Sequence, residues 1–566
     1  MWAELARHAA EADPVIVIDT YPGVDLPELE TTVRNALPEY SVINVEAEAA
    51  KAPDAIDQLI AGDLTDDRVF GILSHHSLSE FYDADRLMAL ADRVRSSGSP
   101  TVLIGWGAAL VPLDASTSVL ADMARWEIQQ RQRNGATNWC ADNATEDDLR
   151  KVKRGYFVEW RTADRHKRAM FPSIDYVLDT NQSTTAPKLI TAAAFRDGMA
   201  AAANAPFRVV PFFDPGVWGG QWMKEVCGLE PDAENYAWCF DCVPEENSVL
   251  LEIDDDVFEL PALDVVLTHP RELLGDRTFA RFGAEFPIRF DFLDTVEGGN
   301  LSLQVHPLTD YIQNTFGMHY TQDESYYLLD AGDDAVVYLG LKSGTDSAEM
   351  REALDSASRG ETSFPAEKFV NRFPAKKHDH FSIPAGTVHC SGANAMVLEI
   401  SATPYIFTFK MWDWDRVGLD GKPRPIHIEH AMNNIQWHRD TDWTRENLVD
   451  QVELLDSGPG WKEERTGLHE LEFIEVRRHW FTDAVDHDTR GTVNVLNLVE
   501  GREAVVESPT GEFAPFVVHY AETFIIPASV GRYRIRPHGT GIGQELATVK
   551  AFVRGTALSS SGARCA

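Results

Sequence analysis

Residues 383–389 read Ile-Pro-Ala-Gly-Thr-Val-His, and residues 304–307 read Gln-Val-His-Pro. In Gln304-Val-His306 the two-residue period of a strand sets both side chains on one face. In the second motif Pro-x-Gly-x-x-His follows a strand, and its histidine is His389. Glu324 stands between the two. Two imidazoles, a carboxylate and an amide oxygen directed into one β-barrel make a mixed N/O ligand set for a borderline divalent ion, Zn²⁺ above all, and leave a coordination position for a substrate oxygen or water. A lone histidine is ordinarily structural. The pairing of the two motifs separates these residues from that class.

Around this core the pattern is strand-rich. From Arg208 onward short strands alternate with turns rich in Gly, Pro and Asp, which signals an all-β region. Helical residues around Ser347–Ala357 mark an insert over about 343–373. A second strand-rich block runs from His469 to Val553, and its Ile525-Ile-Pro-Ala528 echoes Ile383-Pro-Ala-Gly386. The echo predicts two related β-barrels in tandem. The second has no matching Gln-x-His and His set and is expected to be metal-free. Upstream, Val15-Ile-Val-Ile-Asp19, Val69–Leu73, Thr101–Gly105 and Tyr176–Asp179 are buried-strand runs between helical patterns, so a three-layer α/β domain is expected over 1–200. An alanine-rich helix within Lys188–Arg208 should lead out of it. The fold class is therefore multidomain, α/β plus all-β.

The chain has 566 residues, with Lys+Arg 51 against Asp+Glu 89 and a formal net charge of −38, a balance that repels nucleic acid. Only Lys151–Arg168 is densely cationic. No apolar run is long enough for a membrane span, and Met1–Pro14 lacks a signal pattern, so the expected location is cytoplasmic. Cys239-Phe-Asp-Cys242 lies in a strand-like run and reads as two reduced thiols rather than a zinc or redox site. Nothing in the sequence sets an oligomeric state.

In the first βα turn, Asp19-Thr-Tyr-Pro-Gly-Val-Asp25, the glycine-rich loop ending in Lys-Ser/Thr is missing, so no backbone cradle for phosphate and no tight ATP binding is expected. With His75-His76, Arg125-Trp-Glu127 and Asp164-Arg165-His166, residues 14–190 resemble a degenerate uridine-kinase-type P-loop domain.

The middle region carries a more specific resemblance. Trp218-Gly-Gly220, Pro270-Arg-Glu-Leu-Leu-Gly275, Phe286-Pro287, Leu301–Pro307, Asp323–Asp330, Ile383–His389, Val397-Leu-Glu399, Trp412-Asp-Trp-Asp-Arg416 and Gly421-Lys-Pro-Arg424 stand in the order found in type I mannose-6-phosphate isomerases of the cupin superfamily. The resemblance covers about residues 210–434. It implies a metal-binding cupin over 205–455, a cupin-like C-terminal barrel over 456–566, a small-molecule carbohydrate as partner, and aldose–ketose isomerisation through a cis-enediol. By the same resemblance Gln304, His306, Glu324 and His389 match the family's zinc ligands. Glu399 is the candidate proton carrier and Lys410 a second catalytic candidate, while Asp291, Gln322 and Arg416 fall at substrate-binding positions. Three of these depart from the family, which has lysine, lysine and arginine where this chain has Asp291, Gln322 and Lys410. A phosphate dianion loses cations there. Two alternatives stand beside the isomerase: a metal-cupin enzyme acting on a non-phosphorylated sugar, and a non-catalytic carbohydrate-sensing protein.

Overall fold

The computed structural model describes residues 2–555 except 3–4, 8, 10–13, 115, 184–185, 403–406, 420, 422–423 and 468–471; the tail Ser559–Gly562, His469 and part of Gly421–Arg424 lie outside the described residues. Two compact units result, and the chain passes between them repeatedly. The first comprises Met1–Ala201 with two later segments, Pro244–Thr268 and Asp310–Tyr320; the second comprises Ala202–Val243, His269–Thr309 and Thr321–Ala566.

In the first unit six strands, β1 (Val15–Thr20), β2 (Ser41–Asn44), β3 (Thr101–Gly105), β4 (Thr117–Asp122), β5 (Tyr176–Asp179) and β6 (Lys188–Thr191), form one sheet in the order β2-β3-β1-β4-β5-β6. All pairings are parallel except β5 with β6. Every residue of β1 and β3 is buried, as expected where helices cover both faces. Ile16 and Ile18 pack with Leu29 and Val33 of the helix Leu26–Ala36, and Val17 and Leu103 are buried on the opposite face. The Asp25 carboxylate caps that helix by accepting from the Glu28 amide at 2.9 Å. The helix end that would receive a phosphate thus already holds an anion of the chain's own.

The late segments belong to this unit through buried charge. Lys167, on the helix Trp160–Met170, lies 3.0 Å from Asp122 and 2.7 Å from Asp264, while Glu245 stands 3.5 Å from both Arg125 and Arg161. Phe316 packs its ring on Phe70, centroids 5.6 Å apart.

The second unit contains the same topology twice. In the first set one sheet carries His380–Ile383, Glu324–Ala331, Ala395–Ser401 and Arg289–Asp294 as neighbours, and the other carries Val370–Pro374, Val336–Leu341, His389–Ser391 and Leu303–Val305. In the second set the corresponding neighbours are Thr523–Ile526, Asn494–Glu500, Leu546–Val553 and Ile474–Phe481, then Phe516–His519, Glu503–Glu507, Arg532–Pro537 and Val485–Asp488. The order along the chain is also the same. The Ile383 and Ile525 motifs end the equivalent strand of each set, where Pro384 and Pro527 close it. Helices Ser347–Ser358 and Ala366–Phe369 occupy the insert between Val336–Leu341 and Val370–Pro374. Cys239 and Cys242 are buried free thiols on the strand Trp238–Cys242.

Candidate metal centre

Both sheets of the first set contribute to one polar cluster. Gln304 and His389 are directly opposed on the five-stranded sheet, and Glu324 opens a strand of the six-stranded sheet. Glu324 Oε2 lies 3.1 Å from His306 Nε2, and its Oε1 lies 2.7 Å from His389 Nε2. One ligand atom from each of these three buried residues falls within 4.8 Å of the others.

The backbone fixes both imidazoles. Nδ1 of His306 donates to the Phe407 carbonyl at 2.9 Å and Nδ1 of His389 to the Thr387 carbonyl at 2.8 Å, so each Nε2 lone pair faces Glu324. His306 Nε2 and Glu324 Oε1 are nevertheless buried without a well-angled hydrogen bond. Two bare nitrogens and a carboxylate converging without donors between them suit a cation, so the residues fit a divalent metal. Gln304 Nε2 is 3.3 Å from His389 Nε2; turning its amide would offer the oxygen instead.

The Gln322 amide connects Glu324 to its neighbours. Its Nε2 donates to Glu324 Oε2 at 3.0 Å and lies 3.3 Å from both Glu399 Oε1 and Ser401 Oγ, while its oxygen accepts from the Phe407 amide. The Ser401 hydroxyl donates to Glu399 at 2.7 Å. Burial, with the Glu324 and Asp291 carboxylates adding to it, pushes the Glu399 carboxyl well above the usual carboxylate range.

Cross-strand pairing places Asp291, Glu399 and Tyr326 side by side on one face. Asp291 is held by Arg289 at 3.1 Å, so the negative charge read at this position has a cation beside it. Lys410, opposite Gln304, shares that residue's face. Burial, then the Arg424 guanidinium, lowers its ammonium to about 8. Arg416 donates to Asp413 at 2.6 Å and to the Asn300 carbonyl at 2.7 Å. Its guanidinium braces the loop after Phe409–Trp412.

Two residues of this face escaped the sequence reading, Arg289 and Tyr326. Each lies two positions from a residue already singled out, Asp291 and Glu324, and strand period would have placed it on the same face. The Tyr326 hydroxyl is buried without a hydrogen-bond partner, and its ring meets His389 edge-on at 5.9 Å.

Residues 1–204 match a family described as a domain of unknown function, DUF8485. The chain is 27% identical over 230 residues to the probable mannose-6-phosphate isomerase GmuF of Bacillus subtilis, covering 41% of this chain and 68% of that protein. It is 26% identical over 232 residues to the mannose-6-phosphate isomerase ManA of the same organism, with the same coverage. The crystal structure of a mannose 6-phosphate isomerase from Bacillus subtilis superposes with a TM-score of 0.50 at 19% identity, covering 62% of this chain and 99% of that one. The structural likeness therefore reaches well beyond the sequence match. None of these matches shows the kinase resemblance of residues 14–190.

Proposed function

We propose that the second unit is a metal-dependent aldose–ketose isomerase acting on a small sugar, with His306, Glu324 and His389 holding one zinc ion and Gln304 completing the set. The observation that carries this reading is the convergence of two backbone-fixed imidazoles on Glu324, with the buried Glu399 carboxyl one amide away. The bound ion would supply Lewis acidity toward the two neighbouring sugar oxygens that become negatively charged in an enediol.

This chain's own residues supply the proton handling. Glu399 stands on the metal-facing side with its carboxyl pushed above the usual range by burial and its orientation set by Ser401 and Gln322. A carboxyl of raised pKa can return a proton to carbon or oxygen and take one back. Lys410, lowered to about 8, serves the other proton position as an ammonium that deprotonates readily. Tyr326 offers an uncommitted hydroxyl donor toward a sugar oxygen.

The substrate's charge follows from the paired groups. Arg289 beside Asp291 leaves that position near neutral, and Gln322 is neutral, so phosphate recognition falls to Lys410 and the Arg416 and Arg424 region. Free sugars are accordingly the favoured class, with mannose 6-phosphate turned over slowly. Zinc-loaded protein incubated in D₂O with free and phosphorylated aldoses tests both claims: deuterium should enter C1 or C2, and faster with free sugars. No exchange with any aldose rejects the isomerase. Faster exchange with mannose 6-phosphate rejects the substrate class alone.

A further inference from the structure

The second eight-strand set encloses a cavity of about 200 Å³ that the isomerase reading does not use. The inner face of this strand set is an apolar core at one end, where Phe481, Leu496, Leu546 and Ile535 pack together. It turns polar at the other through His479, His487, Asn494 and Lys550, each at least nine-tenths buried. Trp461 and Phe552 also line the cavity, and Lys550 lies over the Phe552 ring at 5.6 Å from its centroid. Asn494 accepts from the Tyr533 hydroxyl and donates to the Thr492 carbonyl, but His479 and His487 each keep a buried ring nitrogen without a partner, and their desolvation asks for one.

Strand register locates this cavity. Glu324 and Asn494 each open a strand, opposite the terminal isoleucine of the equivalent neighbour, Ile383 and Ile526. On the next strand Ser401 faces Glu324, and Phe552 faces Asn494. Two residues back along that strand come Glu399 in the first set and Lys550 in the second. One strand further, Asp291 faces Glu399 and Arg477 faces Lys550. The cavity therefore occupies the place of the metal centre, with Glu324, Glu399 and Asp291 replaced by Asn494, Lys550 and Arg477. Three carboxylates have become an amide and two cations.

Hydrogen bonding defines what the cavity offers. Burial holds His479 down at about 4 and His487 well below its ordinary value, so both rings are neutral at neutral pH. His479 donates from Nε2 to Glu463 at 3.0 Å, which leaves Nδ1 a bare acceptor without a partner. His487 Nδ1 faces the Lys550 ammonium at 3.5 Å, so the hydrogen sits on Nε2, also buried without a partner. The carboxylates at the rim are engaged: Glu463 with Arg477, Asp486 with Arg534, and Asp488 4.0 Å from Arg532. Asp456 and Arg490 complete the charged lining. Among the described residues no carboxylate forms an ion pair with Lys550.

We propose that this cavity is a binding site for a small hydroxylated anion, a monosaccharide-sized carboxylate or phosphate, with its acid group on Lys550 and separate hydroxyls accepting from His487 Nε2 and donating to His479 Nδ1. The volume lies below the roughly 300–1,000 Å³ of sites for larger ligands. Burial lowers the Lys550 ammonium to about 8, which keeps it mainly charged at neutral pH, and a charge-assisted hydrogen bond to it favours an anion over a neutral polyol.

The test is calorimetry of the full chain with D-gluconate and glucose 6-phosphate, which separate the carboxylate from the phosphate source, and with sorbitol as the uncharged probe. At least one anion should bind with one-to-one stoichiometry, about 10-fold or more tighter than sorbitol. Lys550→Gln should weaken it about 10-fold, Arg490→Ser at the exposed mouth should weaken it a few-fold, and Glu324→Ala should leave it unchanged. Thermal melting shows whether Lys550→Gln is folded, and Arg490→Ser decides if it is not. No binding of either anion, equal binding of sorbitol, or binding that follows Glu324 instead of Lys550 and Arg490 overturns the proposal. Because the Glu324 variant reports on the metal centre separately, failure here leaves the isomerase reading standing, and the converse holds too.

Discussion

At His306 and His389 a backbone carbonyl takes the Nδ1 hydrogen of each ring, so the tautomer is set before any ion arrives. His389→Ala should therefore abolish stoichiometric zinc while Gln304→Ala retains it at reduced affinity, because a neutral amide contributes less than an imidazole. Elemental analysis of the two purified variants decides this, and full zinc in His389→Ala would remove the assignment. Asp291 poses a different question. Restoring the lysine of the resembled family there would place a second cation against Arg289 inside a buried strand. We expect Asp291→Lys to lower stability by about 3–5 kcal/mol, measured by denaturant unfolding. A neutral effect would mean that the pair is not needed. The sequence marked Asp291 as a departure but not its partner, since ion pairing depends on which rotamers a buried face permits.

Strand elements carry a second kind of information, in which one side chain joins two separate sheets. Asp241, on Trp238–Cys242, accepts from the Thr523 amide at 3.0 Å, and burial pushes its carboxyl up to about 7. The folded state thus holds this proton more tightly than an unfolded chain, whose aspartate titrates near 3.9. By linkage, stability present below about pH 4 is lost as pH rises toward 7. Asp241→Asn keeps an acceptor for Thr523 without the charge. It should therefore raise stability at pH 8 by on the order of 4 kcal/mol, since each tenfold difference in proton affinity between the folded and unfolded states is worth about 1.36 kcal/mol. The difference should shrink on acidification and vanish below about pH 4. Thermal unfolding of both proteins across that range is the measurement, and a pH-independent difference would show that the carboxyl does not titrate there. The helix Leu26–Ala36 shows the reverse case, since its missing glycine loop was legible in sequence, and the structure adds the Asp25 cap on its first turn.

For the whole molecule, the boundary drawn near residue 200 from composition marks the end of one continuous stretch but not the end of the first unit. A fragment ending at residue 204 would leave Lys167 without Asp264, Arg125 and Arg161 without Glu245, and Phe70 without Phe316. Lys167 keeps Asp122 and Arg125 keeps Asp164, so these buried charges lose one of two partners, a destabilising change. The fragment should accordingly exchange its amide hydrogens in β4 and the Trp160–Met170 helix much faster than the intact chain does, and equal protection would show that the late segments are dispensable. The sequence alone determined the strand and helix periods, the Gln-x-His and Pro-x-Gly-x-x-His motifs and the paired isoleucine echoes, because these are local patterns imposed by backbone geometry. The motifs already grouped Glu324 with both imidazoles, and the structure adds the contacts of 3.1 and 2.7 Å; only the tertiary structure decided that residues 244–268 and 310–320 join the first unit, and that Lys550 stands where Glu399 stands in the first strand set. Each of these is a contact between residues far apart in the chain, fixed by how sheets pair and pack, and no spacing along the sequence encodes it.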